Sequence, residues 1–335
     1  MTYNTALVRG STPTYDSTPA THPLIPEDAA REIIKNSVHK SVVMSMFKHR
    51  NMGTAQTRLP VLAAKATGYF VSGEIGLKQT TRVTWDNKFL DAEEIAAIVP
   101  IPEKLLDDTD YDIWAEVKPE VEEAIGVTLD AAVLFGYNKP SSWPSSIVAA
   151  AISASNVVTQ GSGVDIADDI NSVMTAVEID GYEVNGFFMR TSVKGELRGL
   201  RDSQGAFIFQ PPANAGLTNT VYKGTIYGEK AMAGVTGLFE AEDAGTYGRA
   251  SNSVKMIAGD WTQGILGVRQ DLTYRMLDQA VITDNDGRIV YNLPQQSMVA
   301  LMVTCRMAFQ VPNPINRQNT NSSTRYPFAL LYDAA

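Results

Sequence analysis

The sequence predicts a mixed α+β fold, and three observations carry that expectation. Apolar residues recur three or four apart over residues 112–135, they alternate with polar ones over 82–101, and helical and strand patterns take turns between 165 and 201. The 335 residues suffice for about two domains and for burying roughly three quarters of the unfolded surface. An apolar fraction of 44% and a charged fraction of 19% are those of an ordinary folded chain.

Residues 1–25 hold Pro13, Pro19 and Pro23 among many Ser and Thr. Such a composition cannot build its own core and predicts an extended arm that needs a partner surface to become ordered. From Pro26 the pattern changes. Pro26 suits a first helical turn, Glu27 and Asp28 suit the positive end of the helix dipole, and Ala30, Ile33, Ile34 and Val38 follow helical spacing, so a helix is expected to about Met46. Residues 58–71 and 82–101 read as strands, with Val83, Trp85, Asn87 and Phe89 on one side of the second. A polar, turn-rich tip at 73–81 joins them. A hairpin this long cannot cover its own apolar residues, and a neighbouring subunit would serve.

The stripe in 112–135 consists of Trp114, Val117, Val121, Ile125, Leu129 and Ala132, with Glu116, Glu120, Glu122 and Glu123 on the other faces. Pro119 either starts the main helix or kinks a longer one. After a turn-rich segment at 136–146, Asp165 caps a helix whose Ile166, Ile170, Val173, Met174 and Val177 share one face, and Gly181 ends it. Residues 186–190 then read as a buried strand, and Thr191 as the cap of a second helix over 193–201. The remainder is strand-like: 254–258, 264–268, and a hairpin turning through 284–287 into 298–309. No internal repeat is present.

Composition and motifs exclude several function classes. No stretch approaches eighteen apolar residues and no basic start leads into an apolar run, so neither a membrane span nor a signal peptide is expected. The formal charge of −9, with Lys and Arg scattered, argues against gripping phosphates, while a like-charged wall suits a container that holds DNA loosely. Cys305, the single cysteine, lies in an apolar run and reads as an inert buried thiol. Asp107, Asp108, Asp110 and Asp112 are explained by helix-start acidity rather than a metal cluster. Asp284 to Gly287 resembles part of a calcium loop but lacks the later glutamate, and a hairpin turn accounts for it. Gly161-Ser162-Gly163 faintly resembles a phosphate loop, but Asp165, Asp168 and Asp169 follow and would repel an anion. His22, His39 and His49 come with no nucleophile signature. No catalytic, cofactor-binding or metal-ligating residue is nominated. An arm, an overlong hairpin and no site together describe a chain built to assemble with its own copies.

The order of elements resembles the HK97-fold major capsid proteins of tailed double-stranded DNA bacteriophages: N-terminal arm, E-loop hairpin, spine helix, α/β A-domain and closing strand pair. Arg58-Leu59-Pro60-Val61 opens the E-loop region, and residues 97–106 with 112–135 are similar to the family's strand, spine helix and Phe-Gly turn. Gly181-Tyr182-Glu183 before Phe188-Met189, then Leu197, Leu200, Arg201-Asp202 and Gly205, are similar to its A-domain segment. Ile226-Tyr227-Gly228, Gly259-Asp260-Trp261 and 299–309 with Pro312 continue it, so the resemblance spans roughly residues 26–315.

The resemblance implies an HK97-like capsid fold divided into an arm (1–25), the P-domain start (26–53), the E-loop (54–95), the P-domain with spine helix (96–148), the A-domain (149–280), P-domain closing strands (281–304), and an A-domain return and tail (305–335). It implies no enzymatic activity and no cofactor. The expected function is self-assembly into pentamers and hexamers of an icosahedral shell that encloses the phage genome, made in the host cytoplasm and found in the virion. Expected partners are further copies, portal and scaffolding proteins and a decoration protein, with double-stranded DNA held without sequence-specific binding and no membrane contact. Inter-subunit contacts are expected at Pro13, Tyr15 and Pro19 of the arm and at Gly73, Gly76, Leu77, Lys78 and Gln79 of the hairpin tip. An encapsulin-like compartment is the alternative, and a soluble enzyme or adhesin domain a more distant one. Cross-linking members of the family join an E-loop lysine to a neighbour's asparagine with help from a glutamate. Ser297 and Thr304 stand at those two positions here, and Lys78 could supply the amine, which implies a shell without covalent links. The stretch before the first helix is too short for a cleavable scaffolding segment, which implies scaffolding by a separate protein or its removal before Met1.

Overall fold

A computed structural model describes residues 41–71, 76, 78, 80–108, 112–200, 223–234, 238–239, 254–284 and 286–333. The expected arm and the helix over 26–40 lie outside the described residues. No single helix runs through to Met46 as expected: Ser41 is extended at ψ 132° and a separate helix, α1 (Val42–Met46), starts there, capped by the Ser41 hydroxyl, which accepts from Met44 N.

Strand β1 (Lys48–Asn51) precedes the expected hairpin, whose strands are β2 (Gln56–Ala64) and β3 (Thr84–Asp91), followed by β4 (Glu93–Pro102). The first hairpin strand is shorter than expected because pairing stops at Ala64 opposite Thr84. The expected second strand is two, broken at Ala92, whose N–H turns to Ala55 O at 2.8 Å. Helix α2 (Glu103–Asp108) and the long α3 (Ile113–Asp130) come next. Asp112 caps α3 by accepting from Trp114 N and Ala115 N. Pro119 lies inside α3, so the single longer helix is the one that forms. Val121, Ile125 and Leu129 are buried on its inner stripe, and the helix runs on into a wholly buried π-helical turn, Ala131–Phe135.

Two short elements follow that sequence periodicity does not reveal, α4 (Ile147–Ser153) and β5 (Val157–Thr159). Helix α5 (Ile166–Ile179) has Asp165 as its cap, with Oδ1 accepting from Ala167 N and Asp168 N, and Gly181 ends it at φ +79°, a conformation open to glycine. Strand β6 (Gly186–Arg190) is buried, and α6 (Thr191–Gly199) begins and ends earlier than expected. Thr191 is not its cap. The hydroxyl donates instead to Gly234 O at 3.0 Å on a neighbouring strand, so tertiary pairing takes the group that a cap would use.

The remaining strands are β7 (Lys223–Ile226), β8 (Glu229–Gly234), β9 (Val254–Gly259), β10 (Ile265–Leu277), β11 (Val281–Thr283) and β12 (Ile289–Asn292). After the short α7 (Leu293–Gln296) come β13 (Met298–Gln310) and β14 (Phe328–Tyr332). One sheet has the order β1-β10-β13-β4, and a six-stranded one has the order β5-β14-β9-β6-β8-β7. Alternation on β6 splits its side chains between two cores. Phe187 and Met189 join Ile170, Val173 and Val177 beneath α5, while Phe188 faces the core shared with the first sheet. There Phe47 lies 5.7 Å from Trp261 and 5.9 Å from Phe309 between ring centroids, tying the two sheets through aromatic contact.

Candidate assembly surface

The hairpin of β2 and β3 is rooted firmly and uncovered beyond its root. Trp143 Nε1 donates to Asp91 O at 3.0 Å, Gln310 Nε2 to Phe89 O at 2.9 Å, and Ile315 N to Leu62 O at 3.1 Å. Met52, Leu59, Leu90 and Ala308 form a small core under the root. One face of β3 carries Phe89, 43% exposed, at the root and Trp85, 67% exposed, opposite Leu62, with Val83 just before the strand; Phe70 is fully exposed. Val83, Trp85, Asn87 and Phe89 do share a side, as their spacing predicts, but that side faces away from the subunit's own core. Exposed aromatic side chains on one hairpin make it the candidate interaction surface.

Of the residues expected at the hairpin tip, Gly76 and the exposed Lys78 are described, in the connection between β2 and β3. Gly73, Leu77 and Gln79, like Pro13, Tyr15 and Pro19 of the arm, lie outside the described residues. A second exposed apolar set sits at the opposite end of the four-stranded sheet, where Met276, Val281, Ile289, Val290 and Tyr291 gather around the β11–β12 hairpin. Ser297 lies beside it, exposed at φ +49°, with its carbonyl accepting from Glu103 N. Thr304 stands on β13, its hydroxyl 2.9 Å from that of Thr273. Neither position carries an amide or a carboxylate.

The motifs set aside on sequence are occupied by structural bonds. Asp169 Oδ2 accepts from Gly161 N, and its Oδ1 from Gly163 N and the Ser162 hydroxyl, so the glycine loop's donors are already spent on a buried carboxylate. Asp284 Oδ1 accepts from Asp286 N and Arg288 N and closes the β11–β12 turn. His49 Nε2 lies 2.7 Å from Met44 O, while His22 and His39 are outside the described residues. Burial pushes the Cys305 thiol up to about 11, with Asp271 and Glu94 adding to the shift, which keeps it protonated and unreactive. Among the described residues no cluster of His, Cys, Asp or Glu could hold a metal ion, and no helix is long and apolar enough to cross a membrane.

Sequence reasoning missed several buried charged groups, among them Asp130 and Lys255. Asp130 Oδ1 accepts from the Ser41 hydroxyl at 2.6 Å and Val43 N at 3.1 Å, and Oδ2 from Val42 N at 2.8 Å. Lys255 Nζ lies 2.8 Å from Glu196 Oε1 and 3.1 Å from Asp333 Oδ1, joining β9, α6 and the end of β14. Both join residues far apart in the chain, and no local pattern announces such pairs.

Comparison with known proteins agrees with this architecture. The model of the phage capsid family matches residues 22–315. The major capsid protein of Staphylococcus phage 80alpha is 26% identical over 286 residues, covering 83% of this chain and 79% of that protein. A solved chain from Microbacterium phage Oxtober96 superposes with a TM-score of 0.77 at 33% identity, covering 93% of this chain and 97% of that one. One from Mycobacterium phage Adephagia does so with a TM-score of 0.77 at 29% identity, over 93% and 96%.

Proposed function

The chain belongs to the phage capsid family, and from that premise we propose how it builds a shell. It is a major capsid protein of the HK97 type, a structural protein and not an enzyme, and its copies form the virion capsid. The finer reading is that subunits gather into pentamers and hexamers of an icosahedral lattice around double-stranded DNA, with the hairpin and the N-terminal arm lapping over neighbours. The observation that carries it is the rooted hairpin that leaves Phe70 fully, Trp85 67% and Phe89 43% exposed.

The domain limits expected from the sequence fit this role, with residues 54–95 as the E-loop, 96–148 holding the spine helix α3, and 149–280 most of the A-domain. Portal, scaffolding and decoration proteins are the further partners of this reading, and the host cytoplasm its place of assembly. A lattice sums modest contacts over many neighbours, so no single one need be strong.

Electron microscopy of the expressed chain in negative stain tests it. Large closed shells are expected, and a chain that stays monomeric or in small oligomers at high concentration overturns the reading. Shells with DNA separate a capsid from a compartment loaded with protein cargo. Removing residues 1–25 is expected to impair assembly and leave the subunit folded; unchanged particle yield refutes the arm's role.

A further inference from the structure

The connection from β13 to β14, residues 311–327, contains no helix or strand. A loop of that length is uncommon in a compact fold unless it has a task of its own. This one is fastened at several points. Arg325, only 3% exposed, donates from Nε to Asn313 Oδ1 at 3.0 Å, from Nη2 to Asn313 O at 3.1 Å and from Nη1 to Asn319 O at 2.8 Å, and so closes the loop on itself. Asp180, at the end of α5, ties the closed loop down. Its Oδ1 accepts from Asn319 Nδ2 at 2.8 Å and its Oδ2 from Tyr326 N at 2.9 Å, while Gln318 Nε2 donates to Glu178 O at 2.8 Å. Buried charged groups bonded on several sides hold an irregular segment rigid.

From this base the loop reaches the hairpin. Ile315 N donates to Leu62 O at 3.1 Å, and Arg317 Nη2 to Ala66 O at 3.1 Å. Both acceptors lie on or just past β2, outward of Leu59 and Leu90 in the small core. Close packing does not hold the hairpin there. An open cleft of about 640 Å³ lies between Leu62, Asp86 and Lys88 on the hairpin and Ala150 and Ser153 on α4. The bonds from Trp143 and Gln310 are at the root of β3, on Asp91 O and Phe89 O. An extended chain covers roughly 20 Å from Leu59 to Ala66, so a bond at Ala66 governs the hairpin's angle with more leverage than one at the root.

We propose that residues 313–325 form a brace that sets the direction in which the hairpin projects, with Arg317 as the positioning residue at its outer end. Each copy then presents its hairpin to a neighbour at one angle, as a repeating lattice requires. Arg317 is exposed, so its bond adds little to the stability of the fold and acts on direction instead. The proposal rests on the assembly role of the hairpin, and its test reads the two separately.

Spin labels on Val83→Cys in the hairpin and Ser172→Cys on α5 report the angle as a distance within the unassembled subunit. Both positions are exposed, and Cys305 is buried and stays unlabelled. The unaltered brace is expected to give one narrow distance distribution, Arg317→Ala a broader one, and Arg317→Lys, which keeps a donor of similar reach, a narrow one again. Thermal melts of both variants should match that of the unaltered chain. With the error in angle repeated at every contact, Arg317→Ala is expected to lower the yield of closed shells about threefold or more, and Arg317→Lys to restore it. An equally narrow distribution in Arg317→Ala overturns the brace. A broadened one with shells at full yield overturns its role in assembly, and a lowered melt assigns the bond to fold stability instead. Absence of shells from the unaltered chain sinks the assembly reading, whereas failure of the distance measurement sinks the brace alone.

Discussion

Asp130 shows how much one side chain can carry. Burial pushes its carboxyl from 3.8 up to about 6, against the pull of the bonds from Ser41, Val42 and Val43. A folded value above the unfolded one means that its contribution to stability is fully present below about pH 4 and is lost as the pH rises through 6, by on the order of 3 kcal/mol. Urea unfolding between pH 4 and 7 is expected to show this slope in the natural chain and a flatter one in Asp130→Asn; an unchanged slope assigns it elsewhere. Two glycines give opposite expectations. A Cβ on Gly259 would lie 2.3 Å from Pro327 O, where β9 meets the chain entering β14, so Gly259→Ala should cost more than about 3 kcal/mol. Gly195, inside α6, has nothing within 4 Å, and Gly195→Ala should stabilise by up to about 1 kcal/mol, both read by denaturant titration. The sequence hides Asp130 because its partners lie 87 to 89 residues away; it reads as one more acid on a helix. Asp112 and Asp165, whose partners are two or three residues on, are legible as caps.

At the level of elements, the hairpin divides into a root that stabilises the subunit and a blade that does not. Phe70→Ser with Trp85→Ser is expected to change stability by less than about 0.5 kcal/mol per site, because both are exposed, and to reduce particle yield sharply. Trp143→Phe, which removes the bond to Asp91 O, is expected to cost about 1 kcal/mol of subunit stability. Calorimetry of the unassembled subunit beside sedimentation of the particles distinguishes the two classes. Long periodic elements such as α3 and α5 are legible because many residues repeat one signal. Helix α4, rich in alanine, shows no face, and β5 and β14 are too short for alternation to register. Strand β10 outruns its expected end because its outer half, from Arg269, is polar and half-exposed, so pairing rather than burial extends it. The candidate surface was legible as an overlong hairpin, whereas the brace over 313–325 depends on bonds to Leu62 and Ala66, far away in the chain, which only the fold supplies.

For the whole molecule, the absence of an amide at Ser297 and of a carboxylate at Thr304 leads to one expectation about the assembled shell. Boiled particles should run as a single monomer band in a reducing, denaturing gel. A ladder that survives both treatments would show covalent joining by other residues.

Strand β13 also has a mechanical meaning. It is bonded along one side to β10 from Ile265 to Leu277 and along the other to β4 from Glu93 to Pro102. Tension applied along it therefore loads both rows of bonds in shear and at once, whereas a pull that parts β2 from β3 opens their ladder one rung at a time. In the proposed lattice, with the hairpins lapping over neighbours, the sheet would act as a stiff plate under load and the hairpins as more compliant straps between plates.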